Sequence, residues 1–104
     1  MFKFLGYGAV IEYQDNNFIC FWSSKYPKAI LDQYHQFVTE INSGDRTFAR
    51  IDDDEGGFIE VSFTYEMILI GSSDTHCGML LTDARLLSLV AVLGQWYTYA
   101  LNLP

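Results

Sequence analysis

Alternation of hydrophobic and polar residues is strongest between positions 58 and 70, where every second residue is apolar. This period is typical of a strand with one buried face. The run is longer than a usual strand, so we expect a bend, or a break near Tyr65 and Glu66 that makes two strands. The residues predicted to share the buried face are Ile59, Val61, Phe63, Tyr65, Met67 and Leu69.

The preceding segment, 46–51, is the expected partner of this strand. Core patterning specifies the register, because a slip of one residue turns every side chain to the opposite face. The register also places Arg50 opposite Glu60 and Arg46 diagonal to Glu66, outside the core, where neither arginine is buried without a partner. The pairs predicted on the buried face are Ile51 with Ile59, Ala49 with Val61, and Thr47 with Phe63.

Two segments have the spacing of helices. The first starts near Pro27, carries apolar residues at steps of three and four up to Ile41, and stops at 42–44. The second runs roughly from Asp83 to Asn102, with Thr82 as its N-cap. It is apolar nearly all round, so it needs the first helix, a second copy or another partner beside the sheet.

The remaining strands are predicted at 77–81 and in an N-terminal hairpin. The hairpin joins the runs 2–13 and 18–22 through a turn at 14–17, and Gly6 and Gly8 mark a bend or bulge in the first run. The order of elements predicts one α+β domain over residues 1–104. We expect an antiparallel β-meander of four to six strands with two helices packed on one face.

Composition narrows the function classes. The 104 residues include 6 basic and 13 acidic side chains, a net charge of −7, and half of the residues are hydrophobic. So apolar a chain is unlike a disordered acidic tail, and so acidic a chain is unlike a nucleic-acid-binding protein. The apolar stretch 86–103 is interrupted by polar residues, which argues against a membrane span. Cys20 and Cys77 belong to no C-x-x-C motif and are expected to be free buried thiols of a cytoplasmic protein.

The acidity is concentrated in one part of the chain. Residues 45–66 hold seven acidic and two basic side chains, a charge of −5. One hypothesis is an acidic hairpin tip that contacts a basic protein surface; the alternatives are a cation site, whose EF-hand spacing fails, and a solvated tip that keeps the protein soluble. The loop is expected at about 54–56, with Gly56 left-handed. The candidate partner-binding residues are Asp45, Asp52, Asp53, Asp54 and Glu55.

No catalytic or cofactor motif is predicted. Asp74, His76 and Cys77 lie within four residues, but immediate neighbours rarely give the geometry of a nucleophile, and the chain has too few histidines and cysteines in zinc spacing. P-loop, nucleophile-elbow and HExxH motifs are absent from the sequence. We therefore predict no catalytic residue, no metal and no cofactor. His35 is expected at the surface.

Three function hypotheses follow. The first is a non-catalytic protein that inhibits or neutralises a basic partner protein; in size, acidity and layout the chain resembles the small inhibitors among immunity proteins and phage anti-defence proteins, groups without a shared signature. The second is a small-ligand domain or minor enzyme with an aromatic pocket between the N-terminal hairpin and the last helix. The third is a homodimeric structural module that associates through the last helix. The candidate pocket or contact aromatics are Tyr7, Trp22, Tyr65 and Trp96.

Overall fold

The computed structural model describes residues 2–4, 10–13, 17–20, 27–44, 47–52, 56–71 and 76–102. Seven strands and two helices lie in these ranges. Their bounds, in chain order, are β1 Lys3–Phe4, β2 Val10–Tyr13, β3 Asn17–Cys20, α1 Pro27–Ile41, β4 Phe48–Asp52, β5 Phe58–Ser62, β6 Met67–Gly71, β7 His76–Leu80 and α2 Asp83–Leu101.

The main sheet is an antiparallel meander in the order β4-β5-β6-β7. Its first hairpin has the predicted register, with Ala49 opposite Val61, Ile51 opposite Ile59, and Arg50 beside Glu60. These side chains lie on the predicted faces, because the four apolar ones are fully buried and Arg50 is exposed. The α+β class and the antiparallel meander are therefore confirmed.

Two details of this hairpin differ from the expectation or refine it. Thr47 pairs with Phe63 as predicted, its carbonyl accepting the Phe63 N–H at 3.0 Å, but Thr47 is exposed because it lies before the first residue of β4. Gly56 has a φ of 91°, which only glycine adopts readily, in agreement with the predicted left-handed position.

The break predicted near Tyr65 is confirmed, and it changes which residues are buried. Ser62 pairs with Met67, so the turn lies at 63–66, with Glu66 at a φ of 53°. Side chains directly opposite each other share a face. Ile68 therefore shares the face of Val61, and the buried set moves to even positions after the turn. The prediction that Tyr65, Met67 and Leu69 are buried was wrong, since they are exposed or half-buried.

The core lies between the inward face of the main sheet and the two helices, so the prediction of helices on one face is confirmed. Thr82 caps α2 as expected, its hydroxyl accepting the Arg85 N–H at 3.2 Å. Each helix contributes its inward stripe of apolar residues, and each strand of the main sheet contributes its inward side chains. The largest completely buried side chains are Trp96, Phe37, Ile51, Ile59, Ile68, Ile70, Leu89, Leu93 and Val61.

The apolar character of α2 is explained by three neighbours. One side faces the core; a second meets α1, where the Tyr97 ring stacks on Tyr34 with centroids 4.5 Å apart. A third meets β1, through the ring of Phe4 against Tyr99 and the N–H of Phe2 donating to Ser88 Oγ. What remains exposed is a stripe that includes Leu87, Ala91, Gln95, Thr98 and Leu101.

The N-terminal strands form a second, three-stranded sheet in the order β1-β2-β3. The predicted run 2–13 is two strands, because Lys3 pairs antiparallel with Glu12 and the chain reverses between them. Gly6 and Gly8, proposed as a bend or bulge, lie outside the described residues. Asn17, predicted in the turn, belongs to β3, where it pairs with Tyr13.

Candidate functional site

The surface of interest is the outward face of the main sheet, turned away from the helices. Strand pairing aligns its side chains in three cross-strand rows. Neighbouring side chains within a row contact one another across the sheet. The rows are Phe48-Ser62-Met67-Leu80, then Arg50-Glu60-Leu69-Gly78, then Asp52-Phe58-Gly71-His76.

Arg50 is held by two carboxylates on this face. Its Nε lies 3.0 Å from Asp52 Oδ2, its Nη2 lies 2.9 Å from Asp52 Oδ1, and its Nη1 lies 2.9 Å from Glu60 Oε1. These hydrogen bonds, with Asp52 first, raise the pKa of the guanidinium above its ordinary value. The three side chains together carry a charge of −1, so the one cation cannot neutralise this part of the hairpin.

The side chain of Gln33 on α1 fixes the end of β4. Its Oε1 accepts the N–H of Asp52 at 3.0 Å, and its Nε2 donates to the carbonyl of Asp52 at 3.1 Å. An amide side chain here bonds as a neighbouring strand would. It satisfies both outward backbone groups of Asp52, and it thereby positions the first residue of the acidic run 52–55.

These contacts revise the predicted charge pattern. The predicted register places Arg50 opposite Glu60, but the guanidinium reaches Asp52 as well. The reason is local: residues two apart in a strand lie on the same face, so Asp52 points along the strand towards Arg50. Of the other predicted partner-binding residues, Asp45, Asp53, Asp54 and Glu55 lie outside the described residues, as does Arg46.

Phe58 connects the charged cluster to the rest of the face. The Arg50 guanidinium lies over its ring, 4.5 Å from the centroid. On the other side the ring lies against Gly71, where a Cβ would come within 2.5 Å of Phe58 Cζ. Gly71 is therefore required for this ring position. Phe58 thus joins Arg50, and through it Asp52 and Glu60, to Gly71 on the next strand.

Apolar side chains are exposed at the opposite end of the strands. Phe48, Met67 and Leu80 each expose about half of their surface, between 46 and 60%. Tyr65, in the adjoining turn, is 80% exposed. Protein-binding surfaces are enriched in aromatic residues and methionine. Sequence analysis missed Phe48, Leu80 and Gln33, although the register that buries Ala49 already implies that Phe48 points outward.

The four candidate aromatics do not form one site. Tyr65 is exposed in the turn at 63–66, whereas Trp96 is completely buried between helices and sheet and edge-on to Tyr34. A side chain without exposed surface belongs to the core, so Trp96 offers no contact surface. Its position on the inward stripe of α2 explains this. Tyr7 and Trp22 lie outside the described residues.

The neighbouring His76 and Cys77 point to opposite faces of β7. Cys77 faces inward opposite Ile70 and is half-buried, whereas His76 is exposed. The imidazole therefore does not reach the thiol. Asp74 lies outside the described residues, as does the side chain of Cys20. Among the described residues no three His, Cys, Asp or Glu side chains are grouped to hold a metal ion.

A polar aromatic cluster joins α1 and α2. His35 is exposed, as predicted, and its Nε2 lies 2.9 Å from the Tyr97 hydroxyl. Burial, and next the neighbouring Tyr97, raise the pKa of Tyr34 above its ordinary value of 10.0. Spacing of four along α1 marks Tyr34 as inward, but only the packed structure shows its stacking on α2. This cluster holds the helices together beneath the sheet.

Comparison with family models, with curated proteins and with solved structures finds no match to this chain. In the part of the chain that the structure describes, neither helix has the length and apolarity needed to cross a membrane.

Proposed function

We propose that this protein is a non-catalytic, cytoplasmic binding protein that inhibits or neutralises a partner with a basic surface, in the manner of immunity or phage anti-defence inhibitors. The contact surface is the acidic hairpin, defined as β4, β5 and the segment 53–57 between them, with the adjoining outward face. The observation that carries the proposal is a charge of −5 over residues 45–66. In this hairpin, Arg50 is already shared by the carboxylates of Asp52 and Glu60.

The surface combines two contributions to binding. The acidic segment attracts a basic partner over a distance of about a Debye length, which raises the association rate and makes it depend on salt. Phe48, Met67 and Tyr65 supply exposed apolar area about 13 Å away along the strands, at roughly 3.3 Å per residue. A partner with lysines or arginines beside an apolar patch matches this arrangement.

The experiment is affinity capture of host proteins on the tagged chain at low and at physiological salt. The test variant combines Asp53→Asn, Asp54→Asn and Glu55→Gln; it keeps Asp52, whose side chain Arg50 holds. A charge-matched control removes the same number of carboxylates elsewhere, as Asp32→Asn, Glu40→Gln and Asp83→Asn.

We expect a captured basic protein whose association rate falls about tenfold in the test variant and changes little in the control. The salt dependence of association should weaken in parallel. Equal losses in the two variants would make net charge, and not the hairpin, responsible. Absence of any partner at low salt would contradict the proposal.

A further inference from the structure

The outer edge of β7 is a second surface, separate from the acidic hairpin. Within the described residues, β6 is the strand hydrogen-bonded to β7, and β7 ends the strand order. The N–H of Leu81 donates to the carbonyl of Glu66 at 2.8 Å. Backbone groups alternate in direction along an antiparallel strand. His76, Gly78 and Leu80 therefore direct their N–H and C=O groups away from β6.

One of these outward groups has a partner. The Leu80 carbonyl accepts a hydrogen bond from Arg85 Nη1 at 2.7 Å. Among the described residues, the outward groups of His76 and Gly78 and the N–H of Leu80 have no hydrogen-bond partner. A row of such groups is a template for another strand.

The side chains of β7 leave this edge accessible. His76, Gly78 and Leu80 are all exposed, and the strand contains neither a charged residue nor proline, the usual devices against strand addition. Gly78 has no side chain, so the backbone of a second strand can approach closely at the middle of β7.

We propose that a second copy of this chain adds to β7, so that the two main sheets become one continuous antiparallel sheet across a two-fold axis at Gly78. In this register Gly78 exchanges hydrogen bonds with Gly78 of the second copy. The N–H of Leu80 donates to the carbonyl of His76 of the second copy, and Arg85 keeps its bond to the Leu80 carbonyl. The pairing is self-complementary, as a two-fold interface requires.

Charge favours this edge as the meeting point of two copies. Two chains of −7 repel each other, and the acidic excess of residues 45–66 belongs to the β4–β5 hairpin, whose outer strand β4 lies three strands, about 14 Å, from β7. An antiparallel arrangement about Gly78 turns the two acidic hairpins to opposite ends of the joint sheet. The copies therefore meet at an uncharged strand. Each acidic hairpin stays open, so dimerisation goes beyond the proposed binding function and does not depend on it.

The test is sedimentation of the purified full chain from micromolar to millimolar concentration, with two variant pairs. Gly78→Pro removes an outward N–H that β6 does not use, whereas Gly78→Ala keeps it and places a Cβ at an ordinary 3.6 Å from Leu69 Cδ1. Leu80→Glu adds a charge at the edge, and Leu87→Glu adds the same charge at an exposed leucine of α2.

We expect a concentration-dependent dimer of the wild-type chain. Gly78→Pro and Leu80→Glu should raise its dissociation constant at least about tenfold, with Gly78→Ala and Leu87→Glu within about twofold of wild type. Hydrogen exchange at Gly78 should slow as the concentration rises. Circular dichroism checks folding, and Leu80→Glu keeps the test valid if Gly78→Pro does not fold.

Three results would overturn the proposal. The wild-type chain could remain monomeric throughout, which would leave β7 to a different partner strand. A dimer weakened equally by Leu87→Glu would lie on α2, and a dimer indifferent to both Gly78→Pro and Leu80→Glu would lie elsewhere.

Discussion

The two edges of the main sheet are protected to different degrees. At the β4 edge, α1 packs against the strand, and Gln33 bonds both outward backbone groups of Asp52. At the β7 edge, the described residues provide one hydrogen bond, from the Arg85 guanidinium to the Leu80 carbonyl. The strand that leads into the acidic run 52–55 is thus the strand along which a helix packs.

This difference separates two kinds of surface. A covered edge holds its side chains in a fixed frame, which suits recognition by charged groups whose positions matter. An open edge instead offers the backbone itself, which suits pairing with a similar strand. Substitutions at the two edges therefore test whether the packing of α1 makes the β4 edge more stable than the β7 edge.

The largest expected difference in the free energy of unfolding is between two core residues, one on each edge strand. Ile51 of β4 is completely buried, whereas Met79 of β7 retains 8% exposure. We expect Ile51→Ala to lower the free energy of unfolding by about 4 kcal/mol and Met79→Ala by about 2 kcal/mol. Urea unfolding at one protein concentration measures both. Equal losses would show that the helices support the two edges alike.

A smaller difference is expected for the edge contacts themselves. Gln33→Ala leaves two backbone groups of a part-buried residue without their partner and should cost about 1–2 kcal/mol. Arg85→Ala removes one exposed bond and should cost about 0.5 kcal/mol. Gln36→Ala, on the exposed side of α1, is the control. If Gln33→Ala behaves like Gln36→Ala, the amide does not stabilise the β4 edge.

The smallest effect on the free energy of unfolding is expected at alkaline pH, from the ionisation of Tyr34 on α1. The pKa of Tyr34 is raised in the folded protein, so between pH 10 and that higher pKa the unfolded chain has lost a proton that the folded chain retains. The contribution of this tyrosine to stability is complete below pH 10 and is lost as pH rises. Tyr34→Phe should show a shallower decline of unfolding free energy above pH 10. An identical decline in wild type and variant would contradict this.

Local periodicity predicted most of the elements and the β4–β5 register, since a buried face specifies alternation and the arginines exclude the slipped pairing. It assigned the wrong face after Phe63. A turn at 63–66 reverses the parity of the buried positions, and alternation alone cannot show whether a strand bends or turns back. The same limit made Tyr65 and Met67 look like core residues.

The candidate site was predictable in charge but not in contacts. Counting residues located the acidic segment, whereas the sharing of Arg50 between Asp52 and Glu60 depends on side-chain directions within the folded hairpin. Gln33 and Asp52 are 19 residues apart, and no pattern relates them. Trp96 was proposed for a pocket between the N-terminal hairpin and the last helix, but it is completely buried, and its burial depends on which stripe of α2 meets the sheet.

The packing of Phe2 has a consequence for synthesis of the protein. Phe2 is buried, and its N–H bonds to Ser88 of α2, 86 residues later. At roughly 5–20 residues per second, a ribosome makes α2 some 4–17 s after Phe2. The meander needs only neighbouring hairpins and can form during that interval. The first strand therefore leaves the ribosome with an exposed phenylalanine, and it reaches its place in the core only after the last helix has been made.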